Sequence, residues 1–335
     1  MRSRSTSLLL LPHREAAGDR SGANPPRTPR LVRIRPPVDL DGAMEVHLID
    51  GTYELFRQHF GYARRRKHPT PYDATVGVLT STLQLLRDGA THVAVASDHV
   101  IESFRNDLWS GYKTSAGMDP VLLAQLPVVE DALEAMGVTV WAMVEYEADD
   151  ALASAALVAD REETVERVVI ITPDKDLGQC VRGTRVVQYD RRNDKWIDEA
   201  GVLAKFGVAP ASVPHWLALV GDSADGYPGI PGWGAKTSAA VLASYGTVDA
   251  IPDDAADWNV PGVRNQATLA SALRENRELA QLFVHLATAV TDIDVGTVKE
   301  WEWKGPTGRF ARVAEQFGAT SLAKRAAEVA ARRSG

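Results

Sequence analysis

The chain has a single cysteine, Cys180. That excludes an internal disulfide framework and fits a reducing compartment. Long apolar runs are missing as well. The longest near the N-terminus, Leu8 to Leu11, is too short for the core of a secretory signal. Nothing approaches the length of a membrane-spanning segment, so the expected location is the cytoplasm. Histidines His47, His59, His92, His99, His215 and His285 lack the spacing of a metal centre, and with one cysteine there is no sulfur cluster to join them. What remains is a chain of 335 residues, 45% hydrophobic and 24% charged. This is an ordinary globular composition, long enough for one large domain or two.

Basic side chains are outnumbered, 37 against 44 acids. Residues 1–43 reverse that balance with eight arginines against four acids. Rich also in Pro, Ser and Gly, they read as a disordered basic tail. The acid excess therefore falls on the rest, an unpromising balance for binding a polyanion. Binding follows local patches, however, and overall charge speaks to solubility.

Order is expected from Val46. Short apolar runs end in acids at 46–50 (VHLID), 91–98 (THVAVASD) and 167–176 (RVVIITPDKD), and a further apolar run lies at 138–144 (VTVWAMV). Helical patterns at 73–88, 119–136 and 147–160 lie between them, the second opened by Asp119-Pro120 as cap and first turn. Strands alternating with helices indicate a parallel α/β sheet, in which ligands collect beyond the strand carboxyl ends. From about 198 the pattern is helical: 198–206, 211–220, 234–245 and 265–290, with a further Ala- and Arg-rich stretch at 305–333.

Nine carboxylates cluster where strands end or helices begin: Asp50, Asp98, Glu147, Asp149, Asp150, Asp174, Asp176, Asp222 and Asp225. A single strand-end aspartate is often only a helix cap. In YEADD, however, three acids crowd one helix start, where capping and the macrodipole need one or two. Gathered acids repel unless cations lie between them. Hard oxygen ligands without Cys or His point to Mg²⁺ or Mn²⁺, two ions in a pocket this dense, and such a pocket suits phosphodiester hydrolysis.

The segment GDSADGYPGIPGWGAKT (221–237) is a glycine- and proline-rich hairpin leading into a helix. Backbone N–H groups at Gly229, Gly232 and Gly234, with Lys236 and Thr237, are suited to a phosphate backbone. Position 230 is Ile230 and no strand precedes, so this is not a nucleotide P-loop. Arg105 and Lys113 follow Asp98 on a loop and are candidates to hold a scissile phosphate. Tyr112 is a candidate to stack on a base. The run Arg64, Arg65, Arg66, Lys67 and, one or two turns past Asp50, Arg57 are candidates for backbone tracking. Trp216 is expected in the core.

Taken in order, ID-G, SD, FR, YK, YEADD, TPDKDL, GD-x-x-D and PGIPGWGAKT resemble the 5′–3′ exonuclease and flap endonuclease family, most nearly the bacterial branch found at the N-terminus of DNA polymerase I. The likeness covers roughly 45–295. No polymerase sequence follows, so it implies a stand-alone form. It further implies a PIN-like parallel-sheet core (44–197), a helix–hairpin–helix-type DNA-binding subdomain (198–295) that often holds K⁺, and a helical extension (296–335). One ion would lie near Asp50, Asp98, Glu147 and Asp149. The second would lie near Asp174, Asp176 and Asp225, with Asp150 and Asp222 supporting through water. Lys113 and Arg105 match the family's phosphate-acting pair, and residues 60–75 take the place of its arch. The activity implied is 5′–3′ exonuclease and 5′-flap cleavage of DNA in replication or repair. Ser97, then His99, stand where this branch usually carries an aromatic before the second acid. Two alternatives share parts of the pattern: a PIN-type ribonuclease, and a catalytically weak DNA-binding member that has kept the fold.

Overall fold

The structure is a computed structural model that describes residues 44–61 and 70–334. The basic tail and the Arg64–Lys67 run lie outside the described residues. Six strands form one sheet: β1 (Met44–Asp50), β2 (His92–Asp98), β3 (Thr139–Met143), β4 (Val165–Ile171), β5 (Val186–Asp190) and β6 (Lys195–Ile197). Their order is β3-β2-β1-β4-β5-β6. Every neighbouring pair is parallel except β5 with β6. The chain moves outward from β1 to β3, then returns to the other side of β1 as β4. The crevice beyond the carboxyl ends of β1 and β4 is thus a topological switch point, where such sheets bind ligands.

Alternation along each strand sends successive side chains to opposite faces. Ile49, Val93, Val95, Val169 and Ile171 point to one face. It is covered by α2 (Asp73–Arg87) and α5 (Leu126–Ala135), while α1 (Gly51–Gly61) contributes Leu55. On α2, Leu79, Leu83 and Leu86 recur at helical spacing and are at most 1% exposed. Each such burial stabilises by about 1.5–3 kcal/mol. Val46, Leu48, Ala94, Ala96, Val168 and Ile170 point to the other face, against Ala151, Leu152, Ala155 and Ala159 of α6 (Ala148–Arg161). Small residues on α6 let it lie close to the sheet, which brings its acidic first turn to the strand ends.

Two short helices, α3 (Arg105–Leu108) and α4 (Pro120–Leu123), lie between β2 and α5. The expected 119–136 helix is therefore two pieces. Asp119 caps the first through Val121 N, and Pro127 opens the second because its missing N–H costs nothing in a first turn. After β6 come α7 (Glu199–Phe206), α8 (Val213–Val220), α9 (Ala235–Tyr245), α10 (Gln266–Glu275) and α11 (Arg277–Ala287). They share a separate core around Leu217, Val241, Leu273 and Phe283. The 265–290 pattern breaks at Asn276, whose backbone leaves the helical region (φ −120°, ψ 25°).

The stretch from 296 onward, expected as an extension, returns to the α/β core. The Trp303 indole donates to the Met136 carbonyl at 2.8 Å. Phe310 of α12 (Phe310–Gln316) and Leu322 and Ala326 of α13 (Thr320–Ser334) join the α2–α5 core. Arg333 donates to the Leu86 and Ala90 carbonyls at the end of α2.

Candidate active site

The strand-end acids are held by the turns they start. Asp50 accepts from Tyr53 N at 2.8 Å and from the Thr172 hydroxyl, just past β4, at 2.9 Å. Asp98 accepts from Ala148 N at 2.7 Å, so the acid of β2 anchors the first residue of α6. Its own N–H donates to Thr52 Oγ1. Two neighbouring strands and α6 are thereby fixed around one point.

Glu147 and Asp150 form a capping box at the start of α6, which satisfies donors that a helix terminus otherwise leaves open. Glu147 also accepts from Ser103 Oγ at 2.7 Å and faces Lys113 Nζ at 2.7 Å. Asp150 departs from expectation. Its Oδ1 accepts from Arg105 Nη2 (2.7 Å) and Val290 N (2.8 Å), and its Oδ2 from Arg105 Nη1 (2.7 Å) and Glu147 N (2.9 Å). Four donors use the lone-pair sites of one carboxylate, so Asp150 is a structural anchor and not a ligand.

Arg105 is corrected with it. The side chain is 3% exposed. Beyond the bidentate pair with Asp150, its Nε donates to the Leu286 carbonyl and its Nη2 to the Thr288 carbonyl. A guanidinium so occupied does not face a phosphate. It ties α3 and the start of α6 to the end of α11.

Asp174 and Asp176 follow β4. Asp174 Oδ1 accepts from Asp176 N at 3.0 Å. Asp222 and Asp225 sit on the turn after α8, where Asp222 and Tyr227 pair through their backbones. Oxygens of Asp176, Asp222 and Asp225 lie within 4.8 Å of one another. Two lysines intrude. Lys113 Nζ lies between Glu147 (2.7 Å) and Asp225 (3.2 Å), and Lys175 Nζ contacts Asp222.

Burial pushes the Asp50 carboxyl up to about 7, with the Asp98 and Asp174 charges adding to the rise. Burial likewise raises Asp98. It lifts Asp149 well above the ordinary range, where Asp174 and Asp50 add repulsion. Asp176 is raised by burial, Asp174 and Asp225. Asp225 is raised by burial despite the nearby Lys113. Glu147 goes the other way. Burial opposes its charge, but the Lys113 and Arg105 cations outweigh it and hold the carboxyl low. Neighbouring charges link these acids in a chain: Asp98 and Asp174 act on Asp50, Glu147 on Asp98, Asp50 and Asp174 on Asp149, and Asp222, Asp225 and Asp174 on Asp176. The donor set suits a hard divalent ion: carboxylate oxygens throughout. One of them, Asp176 Oδ1, is buried without a hydrogen-bond donor. A cleft of about 500 Å³ opens behind α6 between Ala156, Cys180 and Pro210, and none of the eight acids lines it.

Other candidates divide. Tyr112 is buried, its hydroxyl 3.4 Å from Glu147, so it is a core residue under the acids and offers no ring to a base. Arg57 is paired with the buried Glu54 at 2.6 Å, and Ser81 of α2 donates to the same carboxylate. That directs Arg57 toward α2. Gly229 is also buried. It takes φ +73°, and a Cβ there would stand 2.6 Å from the Leu219 carbonyl. Its task is to fold the hairpin onto α8, which Ile230 completes by donating to Leu219 O. Gly232, Gly234 and Lys236 are exposed and Thr237 half-buried around the start of α9. Trp216 is partly buried, with its indole on the Ala235 carbonyl. Lys175, Ser103 and Thr172 were missed from the sequence. Lys175 lay in plain view inside TPDKDL, masked by the acids on either side.

Comparison with known proteins fits this architecture. Residues 45–207 match the model of the 5′-3′ exonuclease N-terminal resolvase-like domain, and 208–309 that of the 5′-3′ exonuclease C-terminal SAM fold. The chain belongs to the 5′-3′ exonuclease family. A 5′-3′ exonuclease of Aquifex aeolicus is 30% identical over 260 residues, covering 76% of this chain and 85% of that protein. DNA polymerase I of Mycobacterium leprae is 33% identical over 270 residues, and the chain spans 28% of its length. Among solved structures, zinc-bound T5 5′-exonuclease superposes with a TM-score of 0.60 at 18% identity, covering 85% of this chain and 98% of that one. The catalytic core of Rad2 in complex with DNA gives 0.57 at 15% identity, covering 86% and 93%. The fold is thus PIN-like, a resolvase-like sheet domain with a helical SAM-like subdomain.

The buried Arg105–Asp150 pair makes a structural prediction. Arg105→Ala leaves an unpaired carboxylate at 0% exposure, and urea unfolding is expected to show a loss of about 3–5 kcal/mol. A loss under about 1 kcal/mol with cleavage abolished would return Arg105 to the phosphate.

Proposed function

We propose that this chain is a divalent-metal-dependent 5′ nuclease of DNA, acting as a 5′–3′ exonuclease and on 5′ flaps. One observation carries the reading. Eight carboxylates from β1, β2, the start of α6, the turn after β4 and the turn after α8 meet at the switch point of the sheet. Such convergence is unfavourable without cations. Family membership supports the reaction class, and the exposed hairpin at the start of α9 supports a polyanionic partner.

In this reading Asp50, Asp98, Glu147 and Asp149 hold one Mg²⁺ or Mn²⁺ and Asp174, Asp176, Asp222 and Asp225 the other. Two such ions, when bound, supply an activated water and neutralise charge on the attacking and leaving oxygens of an in-line displacement. The protein's own residues do the rest. Thr172, Tyr53 N and Ala148 N fix the carboxylates of Asp50 and Asp98 before any ligand arrives, which lowers the cost of ordering them. Lys113, at the edge of the cluster, is the cation placed to meet the scissile phosphate. Arg105 and Asp150 are positioning residues, since they act by fixing α6. Gly232, Gly234, Lys236 and Thr237 present N–H groups and one charge to the duplex backbone, the site where K⁺ would also sit. Division into a catalytic core at 44–197, a DNA-binding subdomain at 198–295 and a returning C-terminal stretch at 296–335, with a cytoplasmic location, completes the proposal.

Asp174→Ala is expected to bind flap DNA with near-native affinity and to lose about a thousandfold in turnover in Mg²⁺. A ligand supplies several kcal/mol of charge stabilisation, and 1.36 kcal/mol is tenfold in rate. Cleavage near the native rate would contradict the assignment. Faster cleavage of RNA than of flap DNA of identical sequence would favour a ribonuclease. Lys236→Ala is expected to weaken duplex binding and reduce the slope of log K against log salt by about 0.9, the release from one phosphate contact. An unchanged slope would remove the hairpin from the interface.

A further inference from the structure

Lys175 stands between Asp174 and Asp176 on the turn that follows β4. Its ammonium contacts Asp222 Oδ2 and lies 3.8 Å from Asp176 Oδ1. Asp222 is 3% exposed. Neither of these two buried oxygens accepts a backbone or hydroxyl hydrogen bond among the described residues. The lysine is therefore their only close cation there. The same two acids, with Asp225, each offer an oxygen to a group within 4.8 Å.

A small divalent ion needs oxygens at about 2.0–2.1 Å, and an ammonium needs them at about 2.7–2.9 Å. A group of oxygens this compact has room for one cation, and two would repel each other at close range. Lys175 differs from Lys113 in how it is held. Lys113 is bracketed by Glu147 and Asp225, and its backbone N–H is fixed on the Asp225 carbonyl. The Lys175 side chain is about as exposed, 33% against 29% for Lys113, but its residue starts a short turn and is the farther of the two from its second carboxylate, 3.8 Å against 3.2 Å. Its flexible four-carbon stem can swing the charge into solvent.

Resting on the nuclease reading above, we propose that Lys175 is a displaceable counter-cation. It holds Asp176 and Asp222 together in the metal-free protein and must leave before a divalent ion enters at those oxygens. It thereby sets the affinity of that one ion.

The test is a Mn²⁺ titration of the full chain without DNA, with free Mn²⁺ read by electron paramagnetic resonance. The wild type is expected to bind two ions of unequal affinity. In Lys175→Met the weaker ion tightens by about tenfold, equivalent to about 1.4 kcal/mol. The melting temperature of that variant falls in EDTA and recovers in saturating Mn²⁺. Lys175→Arg, which keeps the charge, retains the weak affinity. Should the Met variant fail to fold, Lys175→Gln provides the same comparison. Unchanged or weaker binding in the neutral variant overturns the role of Lys175 alone. A wild type that takes up no Mn²⁺ overturns the nuclease reading and this inference together.

Discussion

Repulsion among buried carboxylates is the constraint around which this molecule is organised. Parallel strands bring Asp50 and Asp98 to the same edge of the sheet, and the close approach of α6 adds Glu147 and Asp149. Left alone, these groups resist ionisation, as the elevated Asp50, Asp149 and Asp176 carboxyls record. Only Glu147 is drawn the other way, because two cations face it. The fold thus stores an electrostatic demand that lysine side chains meet in part and that divalent ions would meet in full.

Holding such a pocket open needs a rigid frame, and the frame is made of long-range polar links. Arg105 joins α3, α6 and the exit of α11 through Asp150, Leu286 and Thr288. Gln179 runs alongside, donating to the Asp176 and Ala287 carbonyls and accepting from Ala289 N. Both residues connect the sheet domain to the helical subdomain within reach of the acids. The sheet domain and the helical subdomain are therefore tied by the hydrogen bonds of Arg105 and Gln179 to residues 286–289, where a partly satisfied member is costly.

Much of this was legible in the sequence because its signals are local. An apolar run ending in an acid identified β1, β2 and β4, and YEADD identified the start of α6. The roles that failed were those set by partners far along the chain. Arg105 read as a free loop cation, yet its partners lie 45 to 183 residues away. Asp150 looked like the other acids until Val290 N was seen to fill its last lone pair. Tyr112 and Gly229 read as surface groups because burial by a second core leaves no periodic trace in a loop. β5 and β6 were passed over since runs of five and three residues carry little pattern. The return of α12 and α13 onto α2 is a tertiary contact that an Ala-rich helix does not announce.

The central claim is that cations offset the repulsion gathered at the strand ends, and thermal unfolding across pH tests it most directly. A carboxyl raised in the folded state contributes stability that is full below its unfolded value near 4 and is lost as pH rises through its folded value, about 7 for Asp50. With EDTA this contribution should drain away between about pH 4 and pH 7, the window those values define. Mg²⁺ should restore it, so the gap in melting temperature between the two conditions should widen as pH rises. A gap that is absent, or that narrows toward neutral pH, would contradict the account.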